Sequence, residues 1–206
     1  MSRHILVPRD RKHLKEMVRF EMNAHGNACD LNHIDVSCIS SFEALFKNSP
    51  FVGDISAWDM RAARTTVDMF YGSAFNGDIS RWNVERLRNA NHMFHESVFN
   101  GDIARWNPIN LESADFMFAQ SPFAGDVADW HLPFLNSCMH MFDTPAFHGD
   151  LSASREVVRW ATEMGELGRA MGLEHEALVQ LMVQAYPNRV EASKTIVEAH
   201  AFEAPL

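Results

Sequence analysis

The chain has 206 residues, 47% of them hydrophobic and 22% charged, with a formal net charge of −9. That is enough for one good-sized domain, or one domain plus a small helical appendage, with the composition of an ordinary globular protein. The acidic balance argues against direct nucleic-acid binding, and no run approaches the roughly 18 apolar residues of a membrane span.

Residues 1–8 carry too short an apolar run for a signal peptide, so the chain is expected to be cytoplasmic. The next stretch, 9–23, reads as a helix: Leu14, Met17 and Val18 fall on one face, and Pro8 marks a start. Residues 1–29 are accordingly expected to form an N-terminal helical cap. Cys29, Cys38 and Cys138 form neither a pairing nor a metal pattern.

From residue 51 a repeat dominates. Phe51-Val-Gly-Asp-Ile-Ser-Ala-Trp58 returns as Phe75-Asn-Gly-Asp-Ile-Ser-Arg-Trp82 and Phe99-Asn-Gly-Asp-Ile-Ala-Arg-Trp106. It returns again as Phe123-Ala-Gly-Asp-Val-Ala-Asp-Trp130, and in worn form at Phe147, each time after 24 residues. Leu45-Phe46, Met69-Phe70, Met93-Phe94, Met117-Phe118 and Met141-Phe142 keep the same step, and residues 30–49 read as a degenerate first copy.

A fixed period without insertions means one coil per repeat, each too small to bury its own apolar side. Stacked coils place equivalent residues over one another, at about 4.8 Å if they pair as parallel strands. Trp58, Trp82, Trp106 and Trp130, with Phe70, Phe94, Phe118 and Phe142, then become ladders through a shared core. Within a coil, Gly-Asp-Ile-Ser reads as a brief strand and the residues around Met93-Phe94 as a short helical turn. Ser49, Ser73, Ser97 and Ser121 are placed to bond the backbone ends of that turn. Asp59, Asn83 and Asn107 follow tryptophans as turn signals. The expected class is an α/β repeat solenoid: a right-handed stack of short parallel strands and short helical turns with N- and C-terminal helical caps.

These residues resemble the BspA-like leucine-rich-repeat family, whose repeats carry Met-Phe, then Phe-Asn-Gly-Asp-Ile-Ser, then Trp. The resemblance covers about residues 30–152 and is close at 69–82 and 93–106. It implies a leucine-rich-repeat-like solenoid with a protein-binding role, and the repeat's occurrence in phage and prophage genes implies such an origin as an alternative.

Past residue 152 the repeat stops. Residues 153–206 show three helical patterns, broken at Gly172 and Pro187, and are expected to form a C-terminal helical cap or subdomain that could mediate homodimer contacts.

Catalysis finds little support. No phosphate-binding glycine loop, nucleophile elbow or His-Glu-x-x-His pattern is present, and Glu163, Glu166 and His175 are isolated candidates. His92 and His140 share a column but lie two coils apart with Phe116 between them, which does not suit one metal ion. The expectation is a non-enzymatic module without metal or cofactor.

The binding candidates lie on the repeats. If Ile55 points inward, Asp54 and Ser56 point outward, so Asp54, Asp78, Asp102 and Asp126 form an acidic column. Two readings stand side by side: each carboxylate accepts backbone N–H bonds at its own bend, or the column meets a cationic partner. Like charges so stacked are expected to raise one another's pKa. Residues 26–150 hold 16 acidic and 7 basic side chains, so the acidity sits on the repeats. Arg81, Arg105 and Asp129 flank the column as specificity candidates. The expected partner is a protein with a basic surface; the alternative is a phage-type, anti-CRISPR-like inhibitor that blocks the basic groove of a bacterial immunity or nucleic-acid-binding complex.

Overall fold

A computed structural model of the chain describes residues 5–127, 130, 132–135, 137–138, 140–142 and 144. The expected C-terminal helices, Asp129 and the worn repeat copy at Phe147 lie outside the described residues.

The chain begins with a segment whose Leu6 bridges in parallel to Ile34. A single helix follows, α1 (Arg11–His25). Asp10, not Pro8, starts it: the Asp10 side chain accepts the backbone N–H of His13, satisfying one of the unpaired donors of the first turn. Gly26, at φ 84°, ends it. Leu14 and Val18 are buried against the core, with Met17 partly so. Arg11 and Lys15 donate to the carbonyls of Glu43 and Ala44 (2.9 and 3.2 Å), tying α1 to the first coil.

The rest is a stack of 24-residue coils: a first (27–50), second (51–74), third (75–98) and fourth (99–122), and a fifth beginning at 123. Equivalent rings lie almost parallel above one another. Trp58–Trp82, Trp82–Trp106 and Trp106–Trp130 have centroids 6.5, 6.3 and 6.0 Å apart, with interplanar angles of 8°, 10° and 13°. Phe46, Phe70, Phe94, Phe118 and Phe142 form a second column with steps of 5.4 to 5.6 Å. All these rings are buried, together with Ile55, Ile79 and Ile103.

The secondary structure differs from expectation. Among the described residues there is one helix and no strand, so this is not an α/β solenoid of strands and helical turns capped by helices. Adjacent coils meet instead through single parallel bridges, in one column running Ser41, Thr65, Asn89, Ser113 and Ser137, and at Asp30 with Asp54.

The physical reason lies in the ladders. On the Trp side the ring centroids of successive coils lie about 6 Å apart, wider than the 5.4 to 5.6 Å of the Phe46–Phe142 column, where the backbones do bond, and than the roughly 4.8 Å of paired strands. The Phe-x-Gly-Asp-Ile-Ser segments of the third and fourth coils therefore do not pair through their backbones. Side chains bridge the gap: Asn76 accepts the N–H of Asn100 (2.8 Å), and Asn100 accepts that of Ala124 (2.9 Å).

Each tryptophan adds another tie. The indole N–H groups of Trp58, Trp82, Trp106 and Trp130 donate to the carbonyls of Leu31, Ile55, Ile79 and Ile103 in the preceding coil, at 3.0, 3.1, 2.9 and 3.1 Å. The Ile79 carbonyl also accepts the backbone N–H of Trp82 (3.1 Å), so it receives one bond from its own coil and one from the next.

The Met-Phe segment is not helical either. Two residues per coil, four apart, adopt left-handed backbone: Asp68 and Gly72, His92 and Glu96, Phe116 and Gln120, with φ between 55° and 60°. They turn alternate N–H groups in opposite directions. In the second coil, Thr66, Asp68, Phe70 and Gly72 donate to Asn89, Asn91, Met93 and His95 of the next coil. Met69, Tyr71 and Ser73 donate back three residues within their own coil. A right-handed helical turn would satisfy only its own coil. Ser97 and Ser121 close the segment: their hydroxyls donate to the carbonyls of Phe94 and Phe118 (2.7 Å each) and accept the N–H groups of Phe99 and Phe123.

Candidate binding surface

The aspartates of the repeat emerge where the backbone turns out of the buried Phe position and back in at Ile. Asp54, Asp78, Asp102 and Asp126 are all exposed, while Ile55, Ile79, Ile103 and Val127 beside them are buried. Each of the first three accepts the backbone N–H two residues on: Ser56 to Asp54 (2.8 Å), Ser80 to Asp78 (2.9 Å) and Ala104 to Asp102 (3.0 Å). One carboxylate oxygen closes this bend, and the exposed carboxylate carries its charge at the surface.

That bond decides the electrostatics. The Ser56 N–H and hydroxyl pull the Asp54 carboxyl below its ordinary pKa, and the Ser80 pair does the same for Asp78. Partial burial of Asp78 acts upward, Arg81 lowers it further, and the charge of Asp54, the smallest influence, also acts upward. The expected mutual raising of pKa is thus overturned, because hydrogen bonds to the charged form outweigh repulsion across open solvent. Arg81 and Arg105 are exposed beside the column. Arg81 is near enough to Asp78 to favour its charged form, whereas Asp129 lies outside the described residues.

The second turn signal is in place at Asp59 and Asn83, whereas at Asn107 it is the backbone carbonyl that accepts the Ile109 N–H (2.9 Å). Asp35, Asp59 and Asn83 accept the N–H groups of Ser37, Arg61 and Glu85 at 3.0 to 3.1 Å. Arg61 additionally grips Asp59 through Nε and Nη2 (2.9 and 2.5 Å).

The shared column of His92, Phe116 and His140 was legible in the sequence, but the aromatic surface built on left-handed residues was not. His92, Phe116 and His140 stack at 5.1 and 4.9 Å, and Tyr71 stacks on His95 at 5.1 Å. Lys47 pairs with Asp68 (2.9 Å) and sits 4.5 Å from the centre of the Tyr71 ring. Asn48 and Gly72, both tolerant of positive φ, were the available signal, but Glu96 and Gln120 at the equivalent positions hid it. Among the described residues no group of three or more His, Cys, Asp or Glu side chains could hold a metal ion, and no helix is long and apolar enough to cross a membrane.

Identical carboxylates in register on successive coils, presented by a column of buried rings, define a repeat-stack protein with a periodic acidic surface. Its sequence matches the family described as "Mycoplasma protein of unknown function, DUF285" over residues 12–130 and 41–154. The chain belongs to that family. No curated protein and no solved structure matches it.

Proposed function

We propose that the chain is a non-enzymatic protein-binding module whose acidic repeat surface engages a protein with a basic surface, in the cytoplasm. The observation that carries this reading is the exposed aspartate column: one carboxylate per coil at the surface, with Arg81 and Arg105 beside it. Two further facts support it. The repeats hold the chain's whole negative excess, and the repeat resembles that of the BspA-like leucine-rich proteins, which are largely binding proteins. Complementary charge of this kind accelerates encounter and selects partners more than it adds raw affinity.

The test compares the parent chain with an Asp54→Asn, Asp78→Asn, Asp102→Asn triple variant. Asparagine keeps the acceptor that closes each turn and removes only the charge. Affinity capture from host lysate at low and high salt should retain a partner on the parent that high salt and the triple variant both release. A partner held equally by both proteins at high salt refutes the reading. Displacement of the partner by duplex nucleic acid selects the narrower version, an inhibitor occupying the basic groove of a nucleic-acid-binding complex.

A further inference from the structure

Between the tryptophan column and the bridge column, the first three coils leave a surface notch of about 390 Å³ lined by Ser37, Asp59, Arg61, Ala62, Asn83, Glu85 and Arg86. That volume lies in the range of small-molecule sites, roughly 300–1,000 Å³. The small side chains of Ser37 and Ala62 leave the space open. Above it the Asn110 amide donates to the Glu85 carbonyl (2.7 Å), fixing the backbone that carries Glu85.

The charges on this wall do not all cancel internally. Asp59 and Arg61 neutralise each other through their two-point contact. Glu85 and Arg86 are both exposed, and neither has an ion-pair partner among the described residues, not even the other, although they are neighbours in sequence. Asn83 commits its carbonyl oxygen to the Glu85 N–H (3.1 Å), which leaves its amide hydrogens as donors at the same wall. The notch therefore offers an acceptor carboxylate and a donor guanidinium, supported by an amide, on a backbone held by two hydrogen bonds.

We propose that this notch binds a small zwitterion carrying a carboxylate and an ammonium group. The carboxylate meets Arg86 and the Asn83 amide, where a guanidinium can donate two parallel bonds; the ammonium meets Glu85. The proposal is independent of the aspartate column.

The experiment titrates glycine, 4-aminobutyrate and 6-aminohexanoate into the full isotope-labelled chain at fixed ionic strength, following Arg86 Nε–H and the Glu85 carboxyl carbon by NMR. Butyrate and butylamine serve as single-charge probes. At least one zwitterion should shift both signals saturably and bind about fivefold more tightly than either single-charge probe, as expected for one added exposed charge contact. Arg86→Gln and Glu85→Gln, both exposed, should abolish that preference with the melting temperature unchanged. The proposal fails if single-charge probes bind as well as every zwitterion, if the variants keep the preference, or if no zwitterion moves the two signals.

Discussion

Removal of Trp106 probes the ladder most directly. Its ring is 2% exposed and lies between Trp82 and Trp130, at 6.3 and 6.0 Å, and its indole N–H donates to the Ile79 carbonyl at 2.9 Å. Trp106→Ala empties a slot whose walls are rings of the adjacent coils, held at that distance by their own contacts, so collapse is resisted. The expected loss is about 3–5 kcal/mol, the range for large-to-alanine changes in a core. Trp106→Phe keeps a stacked ring but loses the N–H bond and some volume, and should cost about 1–2 kcal/mol. The Ile79 carbonyl is not orphaned in either variant, because it still accepts the Trp82 N–H at 3.1 Å. Urea unfolding, read by far-ultraviolet circular dichroism and intrinsic fluorescence, gives both values from the shift in midpoint. A Trp106→Ala loss below about 1 kcal/mol would refute the packed column. A Trp106→Phe loss equal to that of Trp106→Ala would show that the hydrogen bond, and not packing, sets the stability.

Three further outcomes follow from the geometry. Gln120→Gly should stabilise by about 1 kcal/mol in thermal unfolding, since Gln120 is exposed and held at φ 55°, where a side chain is penalised. Gly53→Ala should destabilise by about 2–3 kcal/mol and more than Gly101→Ala: a Cβ at 53 would overlap the Cys29 backbone carbonyl, whereas one at 101 meets the edge of the Phe99 ring at 2.8 Å. The Asp54 and Asp78 carboxyls titrate below their ordinary values in the folded chain, so their contribution is present above about pH 4 and is lost as pH falls through their folded pKa values. Acid titration of Asp78→Asn should therefore show a smaller drop in stability below pH ~4 than the parent shows.

The register of the columns was legible in the sequence because Phe, Ile, Trp, Met and Phe recur without a phase slip. The local backbone was not. Gly-Asp-Ile-Ser has the composition of a strand, yet the rings that recur beside it keep neighbouring coils too far apart to pair there. Met-Phe-His-Glu-Ser has the composition of a helical turn, yet it is His92 and Glu96 that take left-handed backbone. Composition describes one coil, whereas these choices are made between coils. The exposure of the aspartates followed from alternation about the buried isoleucines. The depressed pKa of Asp54 and Asp78 did not, because the Ser56 and Ser80 donors compete with repulsion and geometry alone decides between them. The notch was not legible: Ser37, Arg61 and Glu85 share one phase of the repeat, and Asp59 and Asn83 another, but these side chains differ from coil to coil, and only the folded chain shows the space they leave.

The tryptophan bonds reach back 27 residues, and the Met-Phe bonds reach forward 23. The hydrogen bonds described between coils each span about one turn of the stack. A growing chain can thus complete each layer as it leaves the ribosome: the indole of the newest layer finds an acceptor already fixed in the layer below. Structure of this kind accrues by elongation, with no distant segment to await, and a truncated product should keep the layers it has already made.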